Sequence, residues 1–496
     1  MFSAPLQATL PIYTEVQNLD FYIKNGLLFC IYEEKPHACI RENPDANMLN
    51  ALSHLGGKFP LLLLETESYD DLKNRFLEAK SEESIGGIEG FESPEEIENF
   101  LQNEDLLTSE DSAPIIRYVN SLFVQAIKRR ATDIHIETFE KDGDVRFRID
   151  GVLNKIATLK KGAIGSIINR IKVISNLDIS ETRIPQDGRT KITIAGASVD
   201  VRVSILPTYY GEKAVLRLLM KGESIPSLQE LGFSEEVYTK LRSLLKHSYG
   251  MILITGPTGS GKSTTLHSFL KEIDHEHYNI VTVEDPVEYN AEGINQIQVN
   301  EKVNLTFSEA LRSILRQDPD VIMVGEMRDK ETAKIATQAA MTGHLLLSTL
   351  HTNSAASAIP RLIDMGIDPF LVSSTLIGIL AQRLVRLLCP HCKIPYEPTD
   401  EDIRYFDLPH NATLYGPKGC DKCGGTGYVG RRAIGEIIIV DEAFAAQIKR
   451  GADEQELRRY LIEKSDFRPM FEELRRMVIA GETSISEAVR IGVKGL

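Results

Sequence analysis

The chain has 496 residues, 42% hydrophobic and 26% charged, with a mean hydropathy of −0.14, which suits two to four globular domains and excludes a single compact one. No apolar run approaches the ~18–20 residues that span a bilayer, and the opening MFSAPLQATLPIYTEVQNLDF lacks the basic and apolar regions of a signal peptide, so a cytoplasmic protein is expected that meets the inner membrane peripherally, through partners. A formal net charge of −15 argues against a nucleic-acid partner, whose binder would carry a basic footprint.

Residues 1–80 mix short apolar stretches (FYIKNGLLFCIY, FPLLLLE) with polar turns, the pattern of a small α/β module. Its cysteines, Cys30 and Cys39, fit no motif. A linker is expected over 81–112, because residues 81–111 hold eleven Asp or Glu and no Lys or Arg and so repel one another with little apolar surface to bury. From Pro114 the apolar residues Ile115, Ile116, Val119, Leu122, Phe123, Ala126 and Ile127 recur at helical spacing. Ile134 and Ile136, then Val145, Phe147 and Ile149, alternate with polar residues around a turn placed at 141–144, which predicts a hairpin with His135, Arg146 and Arg148 on its polar face. Ile192 and Ile194 pair in the same way with Val199, Val201 and Val203 around Gly196. Residues 113–220 therefore form an α+β domain with an arginine-bearing sheet, and 221–238 a connector.

From 239 to 388 short apolar strands (MILIT at 251–255, IVTV at 280–283, VIMV at 321–324, HLLLSTL at 344–350) alternate with helical stretches, which implies a parallel sheet covered on both faces. The first strand runs into Gly256-Pro257-Thr258-Gly259-Ser260-Gly261-Lys262-Ser263-Thr264, a G-x-x-x-x-G-K-[ST] loop. Its glycines let successive backbone N–H groups face phosphate oxygens at a helix N-terminus, Lys262 reaches the β- and γ-phosphates, and the Ser263 hydroxyl binds Mg²⁺. ATP and Mg²⁺ are thus the expected cofactors. VIMV-Gly325-Glu326 reads as the acidic strand end beside such a loop, with Glu326 placed to orient or deprotonate water. Glu284, Asp285 and Glu288 make a second strand-end carboxylate cluster, able to hold Mg²⁺ through water or to orient the nucleophile. His344 and His351 bracket the strand GHLLLSTLHT, and His351 is open to two readings, an ordinary surface histidine or a γ-phosphate sensor.

Cys389-Pro-His-Cys392 and Cys420-Asp-Lys-Cys423 lie 27 residues apart, a spacing that brings four thiolates together around a structural Zn²⁺ with no open position. His391 and His410 are weaker alternative ligands. The zinc subdomain is placed at 389–425 and a helical region at 426–496.

Together these segments resemble the secretion traffic ATPases of type II secretion and type IV pilus assembly over about 113–496. VTVEDPVEY (281–289) is similar to the family's Asp box, LRQDPDVIMVGEMRD (315–329) to its atypical Walker B, and TGHLLLSTLHTNSA (342–355) to its His box. ATDIHIE (131–137) and RIPQDGR (183–189) resemble its sensor-domain signatures, and the tetracysteine disfavours the pilus-retraction branch. The resemblance implies a RecA-like ATPase domain preceded by an α+β, PAS-like sensor domain and a small N-terminal module, with a zinc-knuckle insertion. It implies Glu326 as the catalytic carboxylate, Glu284, Asp285 and Glu288 as its support, and His351, with His344, as phosphate sensors. It also implies a homo-hexamer in which Arg189, Arg202, Arg312, Arg316 or Arg431 neutralises γ-phosphate charge, although surface ion pairing is an equal reading for each. The expected activity is ATP hydrolysis driving pseudopilus assembly and protein export by a type II secretion system. The expected partners are a membrane-anchored secretion protein docked on residues 1–80, an inner-membrane platform protein and acidic phospholipid. A pilus-extension or DNA-uptake ATPase and a nucleic-acid motor are the alternatives.

Overall fold

The computed structural model describes residues 113–194, 197–220, 225–409 and 411–493, together with most of 27–65 and scattered positions between 11 and 72. The acidic linker expected at 81–112 and the alternative ligand His410 lie outside the described residues, as does the turn at Gly196. The chain divides into two compact units, Met1–Gly222 and Glu223–Leu496.

In the first unit, β1 (Leu28–Tyr32), β2 (Lys35–Arg41) and β3 (Leu61–Leu64) form a small sheet in that order, with α1 (Ala46–Leu55) between β2 and β3. Leu27, Leu28, Phe29, Met48, Ala51 and Leu64 make its core. The α/β module expected from the apolar runs is present among the described residues.

After it come α2 (Ala113–Lys128), β4 (Ala131–Thr138), β5 (Asp142–Ile149), β6 (Val152–Lys160), α3 (Lys161–Ile174), β7 (Gln186–Ile194), β8 (Ala197–Thr208) and β9 (Gly211–Met220). The six strands form one antiparallel sheet, ordered β6-β5-β4-β9-β8-β7. Val119, Leu122, Phe123 and Ala126 of α2 and Ile164, Ile167, Ile168 and Ile171 of α3 bury one face of the sheet. The expected hairpin exists, but its turn falls at 139–141, and Gly143 is already in β5 opposite Thr138. A Cβ on Gly143 would stand 2.4 Å from the Glu137 carbonyl and 2.7 Å from Ile164. The glycine therefore serves close packing inside a strand, not the bend. The polar face is not open either. His135 is buried, because Arg146 and Lys213 close over Glu137 while Arg148 and Arg217 close over Asp133.

The second unit holds α4 (Glu235–Leu244), β10 (Gly250–Thr255), α5 (Lys262–Glu272), β11 (Ile280–Glu284), β12 (Asn295–Gln298), α6 (Phe307–Ile314), β13 (Val321–Val324), α7 (Lys330–Met341) and β14 (Leu345–Leu350). It continues with α8 (Ala358–Asp364), α9 (Pro369–Thr375), β15 (Leu376–Leu388), β16 (Ile394–Tyr396), α10 (Asp400–Phe406), β17 (Leu414–Gly416) and β18 (Tyr428–Ile439), and ends in α11 (Glu442–Lys449), α12 (Glu454–Lys464), α13 (Met470–Ile479) and α14 (Ile485–Ile491). Its main sheet is ordered β12-β11-β13-β14-β10-β15-β18. All pairs are parallel except β15 with β18. Every residue of β10, β11, β13 and β14 is buried, as expected for parallel strands with helices on both faces. Leu266, Phe269 and Leu270 of α5 pack on one face with Ile252 and Ile254. Ala310 and Leu311 of α6 and Ala333 and Ala336 of α7 pack on the other with Leu253 and Val283.

One element differs from the sequence reading. The sequence predicts helix over 426–496, yet Tyr428–Ile439 is β18, the last strand of the main sheet. The tetracysteine segment is therefore an excursion between two paired strands. Glu436 falls between Ile434 and Ile438 on one face of the strand, a buried carboxylate that accepts from the Ala355 and Met470 amides, and this masks the strand pattern.

Candidate active site

Parallel α/β sheets bind ligands at the carboxyl ends of their strands, and there the loop 256–264 leaves β10 and opens α5. Gly256, Gly259 and Gly261 take positive φ of 152°, 78° and 89°. Gly256 is further constrained, since a Cβ there would lie 2.6 Å from both the Gln382 carbonyl and the Ser260 hydroxyl. Gln382, on β15, closes the loop from below by donating to the Ser260 carbonyl at 2.8 Å. Lys262 is buried and its ammonium donates to the carbonyls of Gly256 and Pro257 at 2.8 and 3.1 Å. Among the described residues no carboxylate pairs with it. Burial brings this ammonium down to about 8, against the pull of Glu326 and with the push of Arg383. A buried ammonium with only carbonyl partners, on a glycine loop at a helix N-terminus, suits a phosphate group.

Glu326 follows β13 by one glycine and reaches the same edge. The Gly325 amide donates to the Val283 carbonyl at 2.8 Å, so the strand ends of β11 and β13 lie side by side. The Glu326 carboxylate pairs with Arg328 and stands 3.3 Å from His351 Nε2. His351 follows β14, and its loop is held by Thr255: the Thr352 amide donates to the Thr255 hydroxyl at 2.8 Å. Lys262, Glu326 and His351 are thus gathered at one end of the sheet by three adjacent strands, β13, β14 and β10. His344 is not. It precedes β14 at the opposite edge, bound to the Ala339 carbonyl at 2.9 Å through Nδ1, while its own carbonyl accepts from the Gly250 amide at 3.1 Å. The six residues of β14 separate it from His351, roughly 20 Å, so the phosphate-sensing role expected of His344 is withdrawn.

Glu284 is at the correct edge but faces inward. It is buried, accepts from Thr282 at 2.7 Å and Gln296 at 2.9 Å, and stands 3.3 Å from His267 Nε2. His267, fully buried on α5, donates from Nδ1 to the Ser263 carbonyl at 2.9 Å. Burial pushes the His267 pKa down and the Glu284 pKa up, but the pairing prevails in both, raising the imidazole and lowering the carboxyl. Glu284 is in this way tied to the first turn of the phosphate-loop helix. Asp285 and Glu288 are exposed beyond it.

The arginines divide by location. Arg312 and Arg316 lie on or just past α6, on the sheet face opposite α5. Arg312 pairs with Glu309 and Glu331, and Arg316 donates to the Arg312 carbonyl at 2.9 Å. Arg431 is exposed on β18. In the first unit, Arg189 on β7 is directly opposite Arg202 on β8, which is in turn opposite Arg217 on β9, so the three guanidinium groups share one face of that sheet.

The four cysteines converge as their spacing implies. All four sulfurs lie within 4.8 Å of one another, with Cys389–Cys420 at 3.9 Å and Cys392–Cys423 at 3.8 Å. Such separations would suit the edges of a tetrahedron around an ion about 2.3 Å from each sulfur. The Cys420 and Gly427 amides donate to the Cys423 sulfur at 3.1 and 3.2 Å. Burial opposes it, but these amides bring the thiol down to about 6. The donor set and its spacing fit a tetrahedral metal. His391 is exposed and outside this set.

Gln382, Arg383, His267 and Arg328 were not singled out from the sequence. His267 was within reach, since an (i, i+4) relation to Ser263 on a helix predicts its contact. Gln382 and Arg383 depend on β15 passing beneath the loop, which no local pattern reveals.

The chain matches the family described as Type II/IV secretion system protein over residues 108–490. Among curated relatives, Type II secretion system protein E of Dickeya dadantii is 46% identical over 460 residues, 91% of each chain. Type II secretion system ATPase E of Vibrio cholerae is 49% identical over 396 residues, 79% of this chain and 78% of that one. Type II secretion system protein E of Pseudomonas aeruginosa is 43% identical over 502 residues, 99% of each. Among solved structures, the ATPase DotB of Yersinia pseudotuberculosis aligns with a TM-score of 0.56 at 23% identity, covering 78% of this chain and 94% of that one. DotB of Legionella pneumophila gives 0.55 at 22%, covering 75% and 95%. At those identities the likeness establishes the fold.

Proposed function

Because the chain belongs to the Type II/IV secretion system protein family, and its relatives include a Type II secretion system ATPase E over 79% of its length and a Type II secretion system protein E over 99%, we propose that its ATPase site drives a type II secretion system by the following chemistry. ATP lies on the loop 256–264, its phosphates on the backbone N–H groups and the Lys262 ammonium. The Ser263 hydroxyl would hold Mg²⁺, which would supply further positive charge to the phosphates. Glu326 orients the attacking water in line with the bond to be broken and accepts its proton. His351, beside that carboxylate, senses the γ-phosphate. Glu284 acts through His267, fixing the first turn of α5, while Asp285 and Glu288 support the metal's water shell from outside. The observation that carries this reading is the meeting of Lys262, Glu326 and His351 at one strand edge.

The working form is a hexamer in which arginines of a neighbouring subunit, Arg189 and Arg202 foremost, complete the charge around the γ-phosphate. Arg312, Arg316 and Arg431 are secondary candidates for the same task. Residues 1–80 dock on the cytoplasmic domain of a membrane-anchored secretion partner. Closure and release around the ring moves an inner-membrane platform protein and adds subunits to a pseudopilus. The four thiolates hold a structural Zn²⁺. Among the described residues no helix is long and apolar enough to cross a membrane; attachment is through partners and acidic phospholipid.

Deletion of the chain, complemented by wild type or by Lys262→Ala, tests the coupling. Exoprotein should accumulate inside the deleted cells, and wild type alone should restore its release. Loss of piliation or of DNA uptake with secretion intact would assign the same chemistry to another machine.

A further inference from the structure

The N-terminal module contains two cysteines that none of this chemistry uses. Cys30 lies in β1 and Cys39 in β2. The strands pair antiparallel with Cys30 opposite His37 and Leu28 opposite Cys39, so both cysteines point to one face, diagonal to each other. Both are fully buried and free, and the Cys39 thiol donates to the Cys30 sulfur at 2.8 Å. Ordinary packing of two apolar thiols requires no such approach, and the two sulfurs already stand near a disulfide's bond length of about 2.0 Å.

We propose that Cys30 and Cys39 form a reversible thiol–disulfide site, closed by a low-molecular-weight disulfide of the glutathione class, which ties β1 to β2. The two sulfurs are chemically unequal. The hydrogen bond from Cys39 holds Cys30 below the usual thiol range, and the same bond together with burial holds Cys39 above it, so Cys30 is the attacking sulfur. Its thiolate attacks the small disulfide, forming one S–S bond and releasing one small thiolate. That thiolate takes the Cys39 proton. Cys39 then attacks the Cys30 sulfur of the mixed disulfide and expels the second small thiolate, which takes up the proton given by Cys30. The protein loses two protons and two electrons, and one small disulfide becomes two thiols. Access comes from the edge, since β1 is the outer strand of its sheet. Among the described residues, only the backbone bonds Tyr13 to Phe29 and Ile31 to Pro11 cover that edge.

The test uses the full-length protein equilibrated with reduced and oxidised glutathione in varied ratio, quenched by alkylation in denaturant and digested with trypsin. Lys35 precedes Pro36, a bond trypsin leaves intact, so both cysteines emerge in the single peptide 25–41, separate from the four cysteines beyond 388. Expected is conversion of a doubly alkylated peptide into an unalkylated one lighter by two hydrogens, reversed by reductant. Amides of β1 should exchange about tenfold more slowly in the oxidised protein, because the bridge stops the edge from opening. In Cys39→Ser the reaction should halt with glutathione attached to Cys30. Should that variant not fold, the wild-type peptide still decides. A peptide alkylated at both cysteines in excess oxidised glutathione, glutathione adducts in place of the internal bond, or unchanged β1 exchange would each overturn the proposal.

Discussion

Glu326 lies between the Arg328 guanidinium and the His351 imidazole, and in the proposed chemistry its carboxylate takes the proton of the attacking water. Replacing it with Gln keeps the shape and removes the basicity. For Glu326→Gln, kcat should fall by about 10²–10⁴ with nucleotide affinity within about threefold of wild type; steady-state phosphate release and titration with a fluorescent nucleotide measure the two. An equal loss of affinity would make Glu326 a binding residue instead. Lys262 gives a pH dependence of definite sign. With its ammonium at about 8 in the free protein, charge is lost as pH rises through that value, so kcat/KM for ATP should fall above pH 8. The same shift acts oppositely on stability. Between 8 and the unfolded value of about 10.4 the unfolded chain holds the extra proton, so stability rises with pH there. A kcat/KM that falls while thermal stability does not would identify Lys262 as the cause; a flat kcat/KM between pH 7 and 9 would exclude it. At this scale the sequence is informative where chemistry requires a contiguous string. Gly256 to Thr264, Glu326 and the paired cysteines are all legible, whereas His267 and Gln382 act across the fold, on residues 17 positions away (Glu284) and 122 positions away (Ser260).

Elements decide which of two similar residues can act. His344 and His351 bracket one strand and look equivalent in the sequence, but a parallel β14 puts them at opposite edges of the sheet, and only the carboxyl edge carries the phosphate loop. The buried strands of the ATPase sheet were legible because uninterrupted apolar runs have no other stable place. β18 was not, because Glu436 breaks its run and finds partners only through Ala355 and Met470 in the folded chain. The position of β18 also determines what the metal can do. The cysteine segment leaves β15 and returns into β18, and those strands pair from Gly378–Ile439 to Leu388–Tyr428 without help from the thiolates. One Zn²⁺ per chain should be found by elemental analysis, and Cys389→Ser with Cys420→Ser should lose it. Hydrogen exchange should then accelerate between 389 and 427 while β10, β13 and β14 keep their protection. Global unfolding on metal removal would mean that the knuckle supports the sheet.

At the scale of the whole molecule, the phosphate site of the second unit has Lys262 and Glu326 at its centre, with Arg328 paired to Glu326, while Arg312 and Arg316 lie on the sheet face away from α5, bound to acids and carbonyls of their own neighbourhood. The first unit presents the reverse, a row of Arg189, Arg202 and Arg217 across three strands. At its Arg217 end an acid of the facing strand, Asp133, takes up charge. Concentrated like charge on one sheet face is unfavourable alone, and a polyphosphate is the ligand that would reverse its sign. If the row serves the site of a neighbouring subunit, two defects placed in different chains should compensate. Lys262→Ala leaves the arginines intact and ruins the cradle; the double variant Arg189→Ala, Arg202→Ala does the opposite. Each alone should be inactive. Mixed and reassembled, they should recover a share of wild-type turnover set by how often an intact cradle meets an intact row, because a ring of random composition contains such pairs. Recovery that depends on the mixing ratio, followed by phosphate release, would place the arginines in trans. Additive inactivity at every ratio would confine them to structural work within their own sheet.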